Sequence, residues 1–444
     1  MKIAYVCADP GIPVLSSKGA AVHVREITTA LRSLGHDVQV FSGAPAVRST
    51  EQGPVNSFAV NLTVLEPSVQ VNETARIASE QLIETGIGHN AQRLAGELRH
   101  ALADSEFTRR ALPLLKRFKP DIVMARHSFL SVAGPTLAHE VGCLCVLEVN
   151  APLTEERKQH WDLTLDRVAR RMEWQVFHSA DLLVAVSEGV RVYLQQLGID
   201  KDCIEVAANG VDVERFHPGV DGTAVRARFG LGGRVVLGFV GSLRPWHGVS
   251  SLVRALGSII QVMQSDTQLS GSGNAVCMPH LLIVGDGPER AALQEQVTAL
   301  GLDDDVTFTG VVPYDEVPAY IAACDVAVAP YNASDGFYFS PLKVMEYLAM
   351  GKPVVAPLLG QIPSLLSSSA DRAGLVYAAD DPRGLATALH TIIRDAALRQ
   401  KLGETARTVA CERMSWKATA ARILGRVEQQ CERRAASSRR EEVG

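Results

Sequence analysis

Residues 337–357 read "FYFSPLKVMEYLAMGKPVVAP". Ser340 suits a helix N-cap, Pro341 a first helical position, and Gly351 a C-terminal cap with Pro353 beyond it. A helix from about Pro341 to Met350 follows, apolar nearly all round, and "PVVAP" then reads as a buried strand. One such step, apolar helix into apolar strand, belongs to an α/β sheet covered on both faces. Two residues break the pattern. Lys343 stands in the first turn, where a helix dipole disfavours a cation by roughly 0.3–1 kcal/mol. Glu346 lies one turn deeper on the same side.

The pattern repeats outward. "RVVLGFVGSL", "HLLIVGDG", "VTFTGVV" and "DVAVAP" read as strands, separated by helices such as "GVSSLVRALGSIIQVM" and "PERAALQEQVTALG", with Pro288 opening the latter. The first half has the same alternation. Its strands are "KIAYVCA", "DVQVFSG", "DIVMAR", "CLCVLEV" and "DLLVAVS". Ile27, Ala30, Leu31 and Leu34 mark a helix stopped by Gly35. Two α/β domains with parallel sheets are predicted. Their boundary lies in the Gly-, Asp- and Pro-rich "NGVDVERFHPGVDG", giving residues 1–212 and 213–414. Residues 61–112 are mostly helical in pattern and enlarge the first domain. Residues 264–279 read as a flexible loop, and 431–444 as a disordered tail.

Composition narrows the class. The chain has 444 residues, 47% hydrophobic and 21% charged, as in ordinary soluble proteins. A net charge of −5 and a pI near 6.2 argue against a nucleic-acid partner. No apolar run is long enough to span a bilayer. "MKIAYVCADPGIP" reads as a first strand, not a signal peptide, which predicts a cytoplasmic protein. "FTRRALPLLKRFKP" (107–120) leaves room for peripheral contact with the inner face of a membrane, beside the plainer reading of a packed helix with a solvated basic face. The eight cysteines form no C-x-x-C pair and no zinc spacing. Reduced cysteines and no metal are expected. Asp303–Asp305 reads as a polar turn.

Ligands of open α/β sheets bind at the carboxyl ends of strands. Backbone N–H groups at Leu342 and Lys343 would point there and suit an anion. A bound phosphate would turn the unfavourable Lys343 into a favourable one, and Glu346 could accept from sugar hydroxyls. Spacing alone leaves a solvated i,i+3 ion pair equally open. In "GSLRPWHG" (241–248), Gly241 allows close backbone approach, and Arg244 and His247 could face the same phosphates. Taken alone, that stretch reads as a surface loop. "SSKGAAVHV" also places a glycine, Gly19, at a strand-to-helix turn. Together the three loops suggest a cleft for a diphosphate.

Over essentially its full length the chain resembles the retaining family 4 glycosyltransferases of GT-B fold. The resemblance rests on "KGAAVHVREITTALRSLGHDVQVF", "VSEGV", "NGVDVERFHP", "FVGSLRPWHG", "IVGDGPER" and "SPLKVMEYLAMGKPVVAP", in the family's order. It implies two Rossmann-like domains facing each other across a cleft. The second would hold a nucleotide-diphosphate sugar and the first a hydroxyl acceptor such as a glycan, glycolipid or small molecule. Transfer would retain anomeric configuration, without metal or cofactor. By position, Gly19, Ala20, Gly241, Ser242, His247, Gly285, Val312, Ser340, Leu342, Lys343 and Glu346 would bind the donor. Arg244 and Lys343 would act catalytically on the leaving diphosphate, with Arg126 or His127 near the sugar. Residues 415–430 would form a helix crossing back to the first domain. The chain departs from the family in places. Tyr338 stands where many relatives have a first glutamate, with Asp335 nearby but out of register. Ser242 and His247 replace a usual Arg and Lys. A dinucleotide oxidoreductase would show G-x-G-x-x-G after a first strand, and neither half does. A sugar-nucleotide epimerase and a non-catalytic sugar-nucleotide-binding protein remain as alternatives.

Overall fold

The computed structural model describes residues 1–444 except 17, 47–59, 162, 271–276, 334–337, 339, 368–371 and 442–444. The chain forms two compact units. One comprises Met1–Asn209, Tyr338–Ser340 and Trp416–Gly444, the other Gly210–Phe337 and Pro341–Ser415.

The first unit carries a seven-stranded sheet: β1 (Lys2–Cys7), β2 (Asp37–Ser42), β3 (Asn61–Val64), β4 (Ile122–Arg126), β5 (Leu144–Val149), β6 (Leu182–Ala185) and β7 (Ile204–Val206). Its spatial order is β3-β2-β1-β4-β5-β6-β7, all parallel. The second carries six: β8 (Val235–Val240), β9 (Pro279–Val284), β10 (Val306–Gly310), β11 (Val326–Val328), β12 (Val354–Pro357) and β13 (Gly374–Tyr377). Their order is β10-β9-β8-β11-β12-β13, again parallel. Both sheets therefore wind outward in two directions from their first strand, as in Rossmann-like domains. Each reversal, β1/β4 in one and β8/β11 in the other, opens a crevice at the carboxyl ends of the strands. Central strands are buried along their length, which is why their sequences are continuous apolar runs.

Several local expectations change. The helix after Ser340 runs Leu342–Ala349, with Pro341 as its N-cap in an extended conformation and no side-chain cap. Ser340 does not cap it, because its hydroxyl accepts the Asn209 N–H at 3.0 Å and its carbonyl accepts Asn209 Nδ2 at 2.9 Å. The helix after β9 starts at Arg290, two residues beyond Pro288. The helix after β8 continues to Ser270 before residues 271–276, which lie outside the described residues. Of the segment read as a disordered tail, residues 431–441 continue the helix Trp416–Glu441, and 442–444 lie outside the described residues. That helix packs on Gly19–Ser33, where the Trp416 and His23 rings meet edge-on at 5.2 Å.

The basic helix read at 107–120 is part of Ala91–Phe118. Its Phe107, Ala111 and Leu115 are buried in the first unit's core, so its apolar stripe is spent on packing. Among the described residues no helix is long and apolar enough to cross a membrane. Asp303–Asp305 lie in a turn and at the start of β10's approach, and Asp305 pairs with Arg234. Among the described residues no group of three or more His, Cys, Asp or Glu is placed to hold a metal ion.

One buttress stands behind the helix Leu342–Ala349. Arg407 Nη1 donates to the carbonyls of Val213 (3.1 Å), Phe216 (2.9 Å) and Ala349 (2.9 Å). A guanidinium at the helix's carboxyl end also complements its dipole. Arg407→Ala is expected to lower unfolding stability by about 2–3 kcal/mol, the scale of losing charge-assisted hydrogen bonds from part-buried carbonyls. The midpoint of urea unfolding measures this, and Arg407→Lys should recover part of the loss.

Candidate active site

In the second unit, three loops converge at the β8/β11 reversal. Gly241 follows β8 with φ +144°, and a Cβ there would lie 2.7 Å from Lys343 Nζ. Gly285 follows β9 with φ +134°, and a Cβ there would lie 2.1 Å from the Gly241 carbonyl oxygen. Gly241 N–H donates to the Val284 carbonyl, and Leu243 N–H to that of Asp286, both at 2.9 Å. The two loops thus lie back to back at a separation only glycine permits. After β10, Gly310 turns the chain with φ +75° and leaves Val312 half-buried beyond it.

Lys343 enters from β11's side. Its Nζ lies 4.2 Å from the Phe239 ring centre and 5.2 Å from that of Tyr331. It is buried and has no hydrogen-bond partner. This excludes the solvated ion pair that spacing alone allowed. Burial pushes the Lys343 ammonium down to about 7, with Glu346 pulling the other way. The faces of the two rings give the charge some cation–π support, but among the described residues no anion neutralises it at hydrogen-bond distance. Glu346 is buried, and its Oε1 accepts from Tyr314 OH at 3.1 Å.

The 241–248 loop behaves differently from a simple row of cations. His247 Nδ1 bonds the Ser242 carbonyl, and its ring packs among Phe239, Trp246 and Tyr331. Burial first, then Lys343, pushes His247 down to about 3, so the ring is neutral at ordinary pH. It brings hydrogen-bonding capacity in place of the usual lysine's charge. Arg244 is exposed, with its guanidinium 5.8 Å from the Trp246 ring centre.

In the first unit, Gly19 and Ala20 open the helix Gly19–Ser33, after a loop pinned by Arg25 Nη1 on the carbonyls of Val14 and Ser16, both at 2.6 Å. His23 places Nε2 3.1 Å from Glu148 Oε1 and Nδ1 2.8 Å from Asn209 Oδ1. The Tyr5 hydroxyl donates to Glu148 Oε2. Burial raises the Glu148 carboxyl, but His23 and the hydrogen bonds outweigh it and hold it below the usual range. Asn209 in turn holds Ser340. Arg126 ends β4, and its Nη1 is buried without a partner. His127 follows, buried against Phe177 with ring centres 4.8 Å apart, and burial pushes it down to about 3.

Residues 17–215 match the family described as Glycosyltransferase Family 4, and residues 234–395 match Glycosyl transferases group 1. The chain belongs to the family 4 glycosyltransferases of GT-B fold. A GDP-mannose-dependent alpha-(1-6)-phosphatidylinositol monomannoside mannosyltransferase of Mycolicibacterium smegmatis is 30% identical over 260 residues, 58% of this chain and 64% of that one. A D-inositol 3-phosphate glycosyltransferase of Corynebacterium glutamicum is 27% identical over 419 residues, 92% of this chain and 90% of that one. The crystal structure of Anabaena HepE in complex with UDP and glucose is similar in fold, with a TM-score of 0.69 at 19% identity over 97% of this chain and 100% of that one.

Within this glycosyltransferase, the reversal of the second sheet gathers Gly241, Ser242, Arg244, His247, Gly285, Leu342, Lys343 and Glu346 in one unit. Gly19, Ala20, Arg126, His127 and Ser340 belong to the other. Tyr338 also belongs there. Its carbonyl accepts from the Ser187 hydroxyl, and its phenol bonds Glu156. Tyr338 thus anchors the turn instead of offering a carboxylate. Asp335 lies outside the described residues. Sequence reading missed Tyr5, Glu148, Asn209 and the Phe239–Tyr331 ring pair. Glu148 left a signal, as the one charged residue in the otherwise apolar "CLCVLEV".

The buried ammonium makes a pH prediction. Between about 7 and 10.5 the unfolded chain keeps a Lys343 proton that the folded chain has released, so stability rises with pH across that window. The gain is complete only above 10.5 and is lost as the pH falls through 7. Its slope is at most about 1.4 kcal/mol per pH unit. Lys343→Met should raise the thermal midpoint at pH 7 and flatten its rise between pH 7 and 9. An unchanged pH profile would refute the buried charge.

Proposed function

We propose that this glycosyltransferase binds the diphosphate of a nucleotide sugar at the amino end of the helix Leu342–Ala349 and moves the sugar to a hydroxyl acceptor with retention. The observation that carries this reading is the buried, unpartnered Lys343 Nζ beside Gly241. A charged group buried without a partner is costly unless a ligand pairs with it. A diphosphate supplies that partner, and the glycine backbone leaves room for its approach.

As the sugar–oxygen bond breaks, negative charge grows on the leaving phosphate. Lys343, the exposed Arg244 and the first N–H groups of the helix meet that charge in fixed positions, the arrangement that supplies most electrostatic catalysis. His247 stays neutral and serves as a hydrogen-bonding group to the same phosphates or the sugar. Glu346, braced by Tyr314, accepts from ribose hydroxyls, while Gly285 and Val312 line the approach to ribose and base. Glu346 is buried and bonded to Tyr314, which suits a hydroxyl acceptor and not a covalent nucleophile. The departing phosphate oxygen itself then takes the acceptor's proton on the same face. The acceptor is a hydroxyl of a glycan, a glycolipid or a small molecule, and Arg126 and His127 stand on its side.

UDP-, GDP- and ADP-sugars, each tested for thermal stabilisation, identify the donor base. One of them should raise the melting temperature by several degrees. Lys343→Met should abolish that shift and lower kcat/KM for transfer by about 10²–10³, the cost of one preorganised charge-stabilising group. Equal turnover in Lys343→Met would overturn the reading. Conversion of the donor sugar without any acceptor would favour an epimerase.

A further inference from the structure

The three residues Tyr338–Ser340 belong to the first unit, and the chain passes to the second at Pro341. Asn209 fastens Ser340 twice. Its N–H donates to the Ser340 hydroxyl at 3.0 Å, and its Nδ2 donates to the Ser340 carbonyl at 2.9 Å. Tyr338 is fastened by the Ser187 hydroxyl, which donates to its carbonyl, and by Glu156, which bonds its phenol. Gly189 makes room for this, since a Cβ there would lie 3.3 Å from Tyr338 Cα. From Ser340 to Lys343 is three residues, at most about 11 Å of extended chain. Little slack therefore separates the grip on Ser340 from the amino end of the helix Leu342–Ala349.

The orientation of the Asn209 amide is decided by its partners. A carbonyl only accepts, so the atom facing the Ser340 carbonyl is the amide nitrogen. The Asn209 oxygen is then the atom 2.8 Å from His23 Nδ1. On the other side of the ring, His23 Nε2 lies 3.1 Å from Glu148 Oε1. Glu148, with the Tyr5 hydroxyl on its second oxygen, is held ionised. Both ring nitrogens of His23 thus face oxygens that only accept. A ring with a single proton would set one bare nitrogen against an oxygen. The shortest relief is a half-turn of the Asn209 amide, which would bring its oxygen against the Ser340 carbonyl and release Ser340. The other groups around the ring leave this arrangement in place. On the same helix, Arg25 spends Nη1 on the Val14 and Ser16 carbonyls. Arg126, at the end of β4, acts on Glu148 and Tyr5. From the C-terminal helix, Trp416 presents an uncharged ring edge-on at 5.2 Å.

We propose that His23 carries a proton on each ring nitrogen and is a positioning residue for the donor site: by donating to Glu148 and Asn209 at once, it locks the Asn209 amide in the orientation that grips Ser340, and so fixes the turn that leads into Lys343. Charge-assisted hydrogen bonds of this kind are stronger than neutral ones, which suits a lock. This rests on the nucleotide-sugar reading above and deepens it, because a residue of the first unit then governs how the second unit's lysine meets a diphosphate. His23 needs no contact with the donor to do so.

Two measurements on the full-length protein test this. With nitrogen-labelled histidine, NMR spectra at neutral pH should show both His23 ring nitrogens protonated. The signal is assigned by its loss in His23→Gln or, should that variant misfold, by its shift in Trp416→Phe. A single protonated nitrogen overturns the proposal. In the second measurement UDP, GDP and ADP are titrated alongside their nucleosides. In the unaltered chain one diphosphate should bind more tightly than its nucleoside. His23→Gln and Asn209→Asp should each shrink that preference by about tenfold, the scale of a small misplacement of a charge-pairing group, while the nucleoside binds as before. Combining His23→Gln with Lys343→Met should cost less than the product of the two losses, because both act through one lysine. An unchanged preference in either variant overturns the proposal, as does a fully multiplicative loss in the combination. Equal loss of nucleoside and diphosphate binding marks a merely structural role and overturns it too. Failure of the nucleotide-sugar reading would look different, since the unaltered chain would then bind no diphosphate more tightly than its nucleoside.

Discussion

A primary ammonium sits at the wrong end of a helix, walled by two aromatic rings and a glycine, and among the described residues no group bonds it. Much of the second unit's local architecture follows from accommodating Lys343. Phe239 and Tyr331 present their faces to it. Gly241 has no side chain because Lys343 occupies the space, and Gly285 has none because Gly241 does. Arg407 secures the far end of the same helix. The protein keeps this charge at a cost in its own stability, a common trade at sites built for a ligand.

The two sheets solve the same problem with different chemistry. Each reverses direction beside its first strand, and each reversal gathers polar groups that a β-sheet interior would not tolerate. In the second unit the key group is a buried cation among rings. In the first it is a chain of hydrogen bonds, Tyr5 to Glu148 to His23 to Asn209 to Ser340. Such a satisfied polar network rigidifies its surroundings, and a partly satisfied one is expensive. Arg126 lies at the unsatisfied margin of that network.

Much of this was legible in the residues. Central strands announced themselves because burial on both faces demands unbroken apolar runs, as in "KIAYVC" and "VVLGFV". The strands that escaped notice, β3, β7 and β13, are all at sheet edges, short and only partly buried. An edge strand needs no such run, so "NLTV" or "IEV" carries little signal. Lys343 was found because it violated its helix's pattern. Ser340 was misassigned as a cap because its true partner, Asn209, is 131 residues away in sequence, and local rules cannot see that. That His247 is neutral was hidden for a similar reason, since its neutrality comes from burial and from Lys343, which is distant in sequence.

The division of the chain has an implication for its history. The first unit is assembled from three separate stretches, Met1–Asn209, the three residues Tyr338–Ser340 and everything from Trp416 onward. A single cut in the gene cannot release either half intact. Severing at the 209/210 junction strips the leading half of Trp416, which His23 touches, and of Ser340, which Asn209 holds. Recombination that swaps one half for another must therefore import three matched pieces at once, so the two halves are constrained to be inherited and to diversify as a pair.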